Sequence, residues 1–267
     1  EIRSVADDLL ATADLLADAD VWCSLSYVAD LYNWTCPNIT NDRAFDIVGG
    51  RHPVIESVLR ARGDNFVKND CNLNAKAIAL LTGPNMAGKS TYLRQNAIIV
   101  VLAHLGSFVP ATRAIIGVCD QLFSRVGASD NLAAGQSTFM VEMSETANIL
   151  NRTTDKSFII FDEIGRGTAT YDGMAIAQAV LEFLNTMQPR TLFATHYHEL
   201  THLVSNGCLG NVSCLTIDVR EHNNEIVFMH KIISGVANRS YGIHVARMAG
   251  MPNSVVARAE SVLAALN

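Results

Sequence analysis

A glycine-rich turn that ends in a lysine and a hydroxyl residue is the first place in this chain where residue types and spacing suit chemistry. Gly83-Pro-Asn-Met-Ala-Gly-Lys-Ser90 fits G-x-x-x-x-G-K-[ST]. The glycines let the backbone curl so that its N–H groups point inward at phosphate oxygens, and a following helix N-terminus adds partial positive charge. The whole loop (Gly83, Pro84, Asn85, Met86, Ala87, Gly88, Lys89 and Ser90) is expected to wrap the phosphates of a nucleotide. Lys89 would reach the β- and γ-phosphates, and the Ser90 hydroxyl would be a ligand of Mg²⁺. The plainer reading is a glycine-rich turn with an incidental Lys-Ser. Against it stands the context, a strand-like run before the loop and a helix-compatible stretch after it.

Phe158-Ile-Ile-Phe-Asp162-Glu163 places two carboxylates after four apolar residues, at what reads as the carboxyl end of a strand. Asp162 suits contact with Mg²⁺, direct or through its ligands, and Glu163 suits orienting and polarising an attacking water. Alone, the pair is equally an ordinary strand end with acids facing solvent; the upstream phosphate loop favours chemistry. Thr195-His196 ends the next strand candidate, where a side chain can project toward a γ-phosphate; a lone histidine is usually structural, so position alone argues for His196. His198-Glu-Leu-Thr-His202 matches H-e-x-x-H in the order of a zinc hydrolase, and a helix over 197–204 would put His198 and His202 on one face. No clear third ligand accompanies them. Leu132-Ala-Ala-Gly-Gln-Ser137-Thr138 leads into a helix-like segment and offers hydroxyls at a helix N-terminus, either a second phosphate contact or a simple N-cap. Spacing alone favours the cap.

These residues need elements to hold them. Ala77 to Thr82, Ser157 to Asp162 and Arg190 to Thr195 are continuous apolar runs of the kind found in strands buried on both faces. Ser90 to Leu105 and Tyr171 to Met187 read as helices between them. Strand–helix–strand alternation of this kind predicts an α/β fold with a largely parallel sheet flanked by helices. Upstream, Ile2, Val5, Leu9, Leu16, Leu25 and Val28 recur at helical spacing over residues 1 to about 33, until Pro37 and the polar stretch 38–43 end the element. Strand-like pieces follow over Phe45 to Val48 and near Phe66. Downstream, Asn211 to Val219 and Glu225 to Lys231 read as a hairpin around residues 222–224. Tyr241 to Ala249 and Asn253 to Leu266 read as two helices split at Gly250-Met-Pro252.

Composition narrows the class. The 267 residues are 49% hydrophobic and 17% charged, which excludes disordered and collagen-like chains. Six scattered cysteines without a C-x-x-C pair read as reduced thiols of a cytoplasmic protein. A net charge of −6 argues against non-specific DNA binding by this chain itself. The longest apolar run, Ala97 to Ala103, falls far short of the roughly 20 residues a spanning helix needs, so no membrane association is expected. The chain opens on Glu1 with helical spacing already under way, as a piece of a longer protein would.

Four segments in order resemble one family. Thr82 to Gln95, Ser137 to Met143, Asp162-Glu-Ile-Gly-Arg-Gly-Thr168 and Phe193-Ala-Thr-His-Tyr-His-Glu-Leu200 are similar to the motifs of the MutS family of bacterial DNA mismatch-repair proteins. Arg51-His-Pro53 and Tyr241 to Gly250 look like that family too. The resemblance implies a P-loop NTPase of the ABC-ATPase type (residues 41–240), preceded by the end of a helical connector (1–40) and followed by a helix-turn-helix dimerisation appendage (241–267). It also implies ATP and Mg²⁺ as cofactors and a homodimer formed through the ATPase domain. Contact with mismatched duplex DNA would be made by regions missing from this chain, and downstream factors of the MutL type would be partners. At matching positions it implies that Asn85 and Met86 meet phosphate or the catalytic water, Thr91 the α-phosphate, Phe66 and His230 the base, and Ser137 the nucleotide of the opposite subunit. Ala87 stands where the family usually has glycine, which would matter if that position needed positive φ. An ABC-type ATPase of a transporter or a chromosome-maintenance protein is the alternative, its L-S-G-G-Q signature only loosely approached by Leu132 to Gln136.

Overall fold

Three of the apolar runs become neighbouring parallel strands, and this juxtaposition organises the molecule. The structure, a computed structural model, describes residues 5–84, 87–126, 138–222, 225–237 and 241–266. The chain forms two compact units, one comprising residues up to Asn72 together with 95–119, the other 73–94 together with 120–267.

In the first unit, helix α1 (Ala6–Leu31) opens with Asp7 and Asp8, whose charge suits a helix N-terminus. It stops at Asn33, whose φ of 51° is left-handed, a conformation asparagine tolerates better than most residues. Most of its large apolar side chains, Leu9, Leu16 and Trp22 among them, are exposed, and only Ala29 is buried. Helix α2 (Pro53–Ala61) starts on a proline whose fixed φ suits the first helical position. The Arg51-His-Pro53 sequence is structural here: the Arg51 guanidinium donates to the carbonyls of Tyr32 (3.1 Å) and Asn33 (2.8 Å) and pairs with Glu56 (3.5 Å). It thus ties the end of α1 to the start of α2. Strands β1 (Asn38–Thr40), β2 (Phe45–Gly50), β3 (Asn69–Asn72) and β5 (Arg113–Gly117) make a sheet in the order β1-β5-β2-β3, with only the β1–β5 pair parallel. The strand expected near Phe66 is not formed. Phe66 lies in irregular chain between α2 and β3, because the strand that completes this sheet, β3, buries alternate residues Asn69 and Cys71 further on.

The second unit is built on a six-stranded sheet in the order β10-β9-β4-β8-β7-β6. Strands β4 (Ile78–Leu81), β6 (Leu122–Arg125), β7 (Phe158–Asp162), β8 (Arg190–Ala194) and β9 (Val212–His222) pair in parallel, while β10 (Glu225–Ser234) returns antiparallel as the hairpin partner of β9. The two sheets are therefore both mixed. Every residue of β4 and β8 is buried, as are Phe158 to Phe161, which explains why these strands lack a polar–apolar alternation. Ile78, Leu80, Ile159, Phe161 and Phe193 join one core with Ala177, Val180, Leu181 and Leu184 of helix α5 (Thr170–Met187), Ile149 of α4 (Thr138–Arg152) and Leu200 of α6 (Leu200–Ser205). Helix α3 (Lys89–His104) follows the phosphate loop. At the chain's end, α7 (Gly242–Met248) and α8 (Asn253–Leu266) are joined by a short turn and an Arg247–Glu260 ion pair of 2.5 Å. Among the described residues, no helix is long and apolar enough to cross a membrane.

Candidate nucleotide site

Parallel strands end on one edge of their sheet, and the register fixes how closely. Leu81 of β4 is level with Ala194 of β8, and Ala194 is level with Asp162 of β7. Three motifs therefore leave a single row on three adjacent strands: the phosphate loop after Leu81, the Asp162–Glu163 pair, and Thr195-His196. The carboxyl edge of a parallel sheet is where such folds bind ligands.

The two glycines of the loop have the backbone that their residue type permits. Gly83 and Gly88 take φ of 135° and 112°, which side chains rarely adopt. The methyl group of Ala87, which stands where the family usually has glycine, is buried. Asn85 and Met86 lie outside the described residues, as does Ser137, whose segment immediately precedes α4. Lys89, 4% exposed, donates to the carbonyl oxygens of Gly83 (2.6 Å) and Pro84 (3.2 Å) and lies 3.6 Å from Glu163 Oε1. Burial pushes its ammonium below the ordinary lysine value, with the charge of Glu163 acting in the opposite direction.

Glu163 sits at φ 61°, a left-handed conformation that costs a non-glycine residue on the order of 1 kcal/mol. Its N–H donates to Ala194 O (3.0 Å), and its carboxylate pairs with Arg166 (2.6 Å) as well as Lys89. The Asp162 Oδ1 atom is buried and has no hydrogen-bond partner among the described residues. An orphaned carboxylate oxygen at this edge is costly unless a cation takes it, and Asp162 and the Ser90 hydroxyl are the groups here that could hold one. A cleft of about 350 Å³ is lined by Pro84, Gly88, Lys89, Ser90, Thr91, Glu163 and Arg166. Six of these were expected from sequence; Arg166 was not given a role, though its place three residues after Glu163 marks it.

His196 is half-buried at the end of β8, with its ring 4.0 Å from that of Tyr197 and its Nδ1 buried without a partner among the described residues. Burial lowers its pKa, Glu163 opposes the shift, and Arg166 and Lys89 add to it, so the neutral imidazole is favoured at neutral pH. His230 Nδ1 lies 2.9 Å from Ala87 O, which brings this β10 residue to the phosphate loop. Phe66 belongs to the first unit and is half-buried in its irregular segment. The zinc reading loses its geometry. Helix α6 begins at Leu200 with Glu199 as its cap, so His198 precedes the helix and the two histidines do not share a helical face. Among the described residues, no group of three or more histidine, cysteine or acidic side chains comes together to hold a metal.

The turn after Glu163 is packed on backbone. Gly165, at φ 89°, lies against Gly173 of α5, and a methyl group on Gly173 would collide with the Gly165 carbonyl and the Tyr197 hydroxyl. Gly173→Ala is expected to destabilise the fold by roughly 1–3 kcal/mol, the usual cost of overpacking. A lowered thermal midpoint checks this, and an unchanged one contradicts it.

A glycine-rich loop between strand and helix, facing a strand-terminal carboxylate pair across a parallel sheet edge, defines the phosphate-loop class of nucleotide site. Comparison with known proteins narrows the class. The family model described as MutS domain V matches residues 79–267. The DNA mismatch repair protein MutS of Dinoroseobacter shibae is 55% identical over 264 residues, covering 98% of this chain and 30% of that protein. MutS of Rickettsia prowazekii is 56% identical over 253 residues (94% and 28%), and that of Ruegeria pomeroyi 59% over 253 (93% and 29%). The chain belongs to the MutS family of DNA mismatch-repair proteins, and it spans about 30% of the length of these relatives.

Proposed function

We propose that this chain is the ATP-binding and hydrolysing dimerisation module of a mismatch-repair protein, coupling nucleotide state to mismatch recognition and sliding-clamp formation. The observation that carries the reading is the Leu81–Ala194–Asp162 row, which delivers the phosphate loop, Asp162, Glu163 and His196 to one sheet edge. It agrees with membership in a family whose domain V is a P-loop ATPase domain.

In this reading the loop N–H groups and Lys89 take the phosphates, and Lys89 exchanges its carbonyl partners for phosphate oxygens. Ser90 and Asp162 hold Mg²⁺, which when bound neutralises phosphate charge. Thr91 serves the α-phosphate, with Phe66 and His230 at the base. Glu163 orients the attacking water, assisted by Asn85, and neutral His196 faces the γ-phosphate. Residues 1–40 form the end of a connector, 41–240 the ATPase domain and 241–267 a helix-turn-helix that completes the homodimer. That last assignment is supported by an open apolar groove of about 640 Å³ along α7 and α8, lined by Ile243, Val255, Val262 and Leu263 among others. DNA contact and recruitment of MutL-type factors belong to the whole protein, placed in the cytoplasm.

The test is equilibrium ATP binding by Lys89→Ala. Losing the one buried ammonium in the cleft should weaken binding by about tenfold or more, since charge-assisted contacts are worth roughly 1.5–3 kcal/mol. Unchanged affinity would contradict the assignment.

A further inference from the structure

Gly165 lies two residues beyond Glu163, and both of its backbone polar groups are held by side chains from distant segments. Glu142 Oε1, on α4, accepts the Gly165 N–H at 2.5 Å. Tyr197, just past β8, donates its hydroxyl to the Gly165 carbonyl at 2.9 Å. Glu142 is 5% exposed and Tyr197 3%. Carboxylates are seldom buried this deeply without partners. Here Arg125, at the end of β6, supplies the countercharge 3.7 Å from Glu142 Oε2 and also pairs with Glu145 at 3.1 Å.

The same face of α4 touches the turn a second time. Phe139, one helical turn before Glu142, has its Cβ 2.8 Å from where a side chain on Gly167 would begin. The turn from 163 to 167 is thus gripped by α4 at residues 165 and 167, by Tyr197 at 165, and by the Glu163 N–H bond to Ala194. With Gly165 also packed on Gly173, the turn has little freedom of its own. The direction in which Glu163 presents its carboxylate is then set by where these clamps hold the backbone.

We propose that Glu142 is a positioning residue for hydrolysis, fixing Gly165 and through it the Glu163 carboxylate, so that displacement of α4 is transmitted to the water-activating group. Tyr197 is the second jaw of the same clamp. The inference rests on the ATPase reading given above. Nothing reactive passes through Glu142; its contribution is geometric, and misplacing a reacting group by about 1 Å can cost on the order of 10²-fold in rate.

The experiment compares Glu142→Ala, Glu142→Gln, Tyr197→Phe and Glu163→Gln with the parent full chain, by steady-state ATP hydrolysis, equilibrium ATP binding and thermal unfolding. Glu142→Ala should lower kcat by about tenfold or more, with KM and ATP affinity within about twofold of the parent. Glu142→Gln still offers Oε1 to the Gly165 N–H and should recover most of that loss. Tyr197→Phe should lower kcat without moving KM, which keeps the test decisive should Glu142→Ala fail to fold. On the Glu163→Gln background, Glu142→Ala should add no further loss, because the group it positions is already gone. An unchanged kcat in folded Glu142→Ala or in Tyr197→Phe overturns the proposal. So does a joint fall of kcat and ATP affinity that Glu142→Gln does not rescue, since that marks a structural role alone. A parent that does not hydrolyse ATP, or a Glu163→Gln protein as active as the parent, instead overturns the ATPase reading itself.

Discussion

Glu163→Gln is expected to bind ATP normally and to hydrolyse it about 10²-fold more slowly or worse. The substitution preserves shape, and the phosphate cradle of Gly83 to Ser90 and Lys89 does not depend on it. What disappears is the negative charge proposed to polarise water. Glu163 is placed for that task by a left-handed backbone and a bond to Ala194, an arrangement a surface carboxylate would have no reason to adopt. Its present partners, Lys89 and Arg166, are cations that a triphosphate would compete for, which would free the carboxylate for water. Removing its charge also removes one attraction between Lys89 and the protein, so affinity should hold or rise slightly. Steady-state phosphate release measured beside equilibrium binding checks both halves. Hydrolysis at the parent rate would show that another group activates the water.

Mixing two inactive variants should restore activity. Lys89→Ala lacks the phosphate counter-charge, and Ser137→Ala lacks the hydroxyl assigned to the opposite subunit's nucleotide. In a mixed dimer one site carries both lesions, while the other combines an intact Lys89 from one chain with an intact Ser137 from its partner. A shared site therefore predicts recovery toward half the parent activity per mixed dimer, a large gain over either variant alone. The physical reason is that the phosphate loop encloses one side of the nucleotide, so a second donor set serves best from the other side, excluding water from the γ-phosphate. If Ser137 acts on its own chain's nucleotide, every site keeps one lesion and no recovery occurs. Absence of recovery, with mixed dimers demonstrated by tag pull-down, returns Ser137 to the role of helix cap.

The chemistry-bearing elements were legible because each has a one-dimensional signal. Strands β4, β7 and β8 are buried on both faces and so appear as unbroken apolar runs, and their carboxyl ends coincide with glycine, acid and histidine motifs. Helices α3 and α5 were readable from their length, to within a residue or two at either end. The first unit was harder. Its sheet is built from short strands such as Asn38–Thr40 and Asn69–Asn72, whose apolar content is too low to register. The strand-like piece near Phe66 is irregular chain, with β3 forming just after it at Asn69–Asn72. Strand β6, Leu122–Arg125, was missed because four residues ending in Ser-Arg show no periodicity; its Arg125 is buried by pairing with acids that lie elsewhere in the sequence. The clamp on Gly165 was invisible for the same reason, since Glu142, Gly165 and Tyr197 meet only through the sheet order. One signal did exist. Glu142 shares a helical stripe with Thr146 and Ile149, and a carboxylate on the buried face of a helix calls for a partner. The H-e-x-x-H match failed because Glu199 caps a short helix instead of lying within one, a boundary that residue spacing does not reveal.

The most direct test of the account is phosphate release from ATP by the purified full chain, with Mg²⁺ and with a chelator in its place. Turnover is expected to require Mg²⁺, because Ser90 and Asp162 are the residues proposed to hold it, and to fall by about 10²-fold or more in Glu163→Gln. Phosphate release unaffected by the chelator, or none at all from a folded protein with Mg²⁺ present, would contradict it.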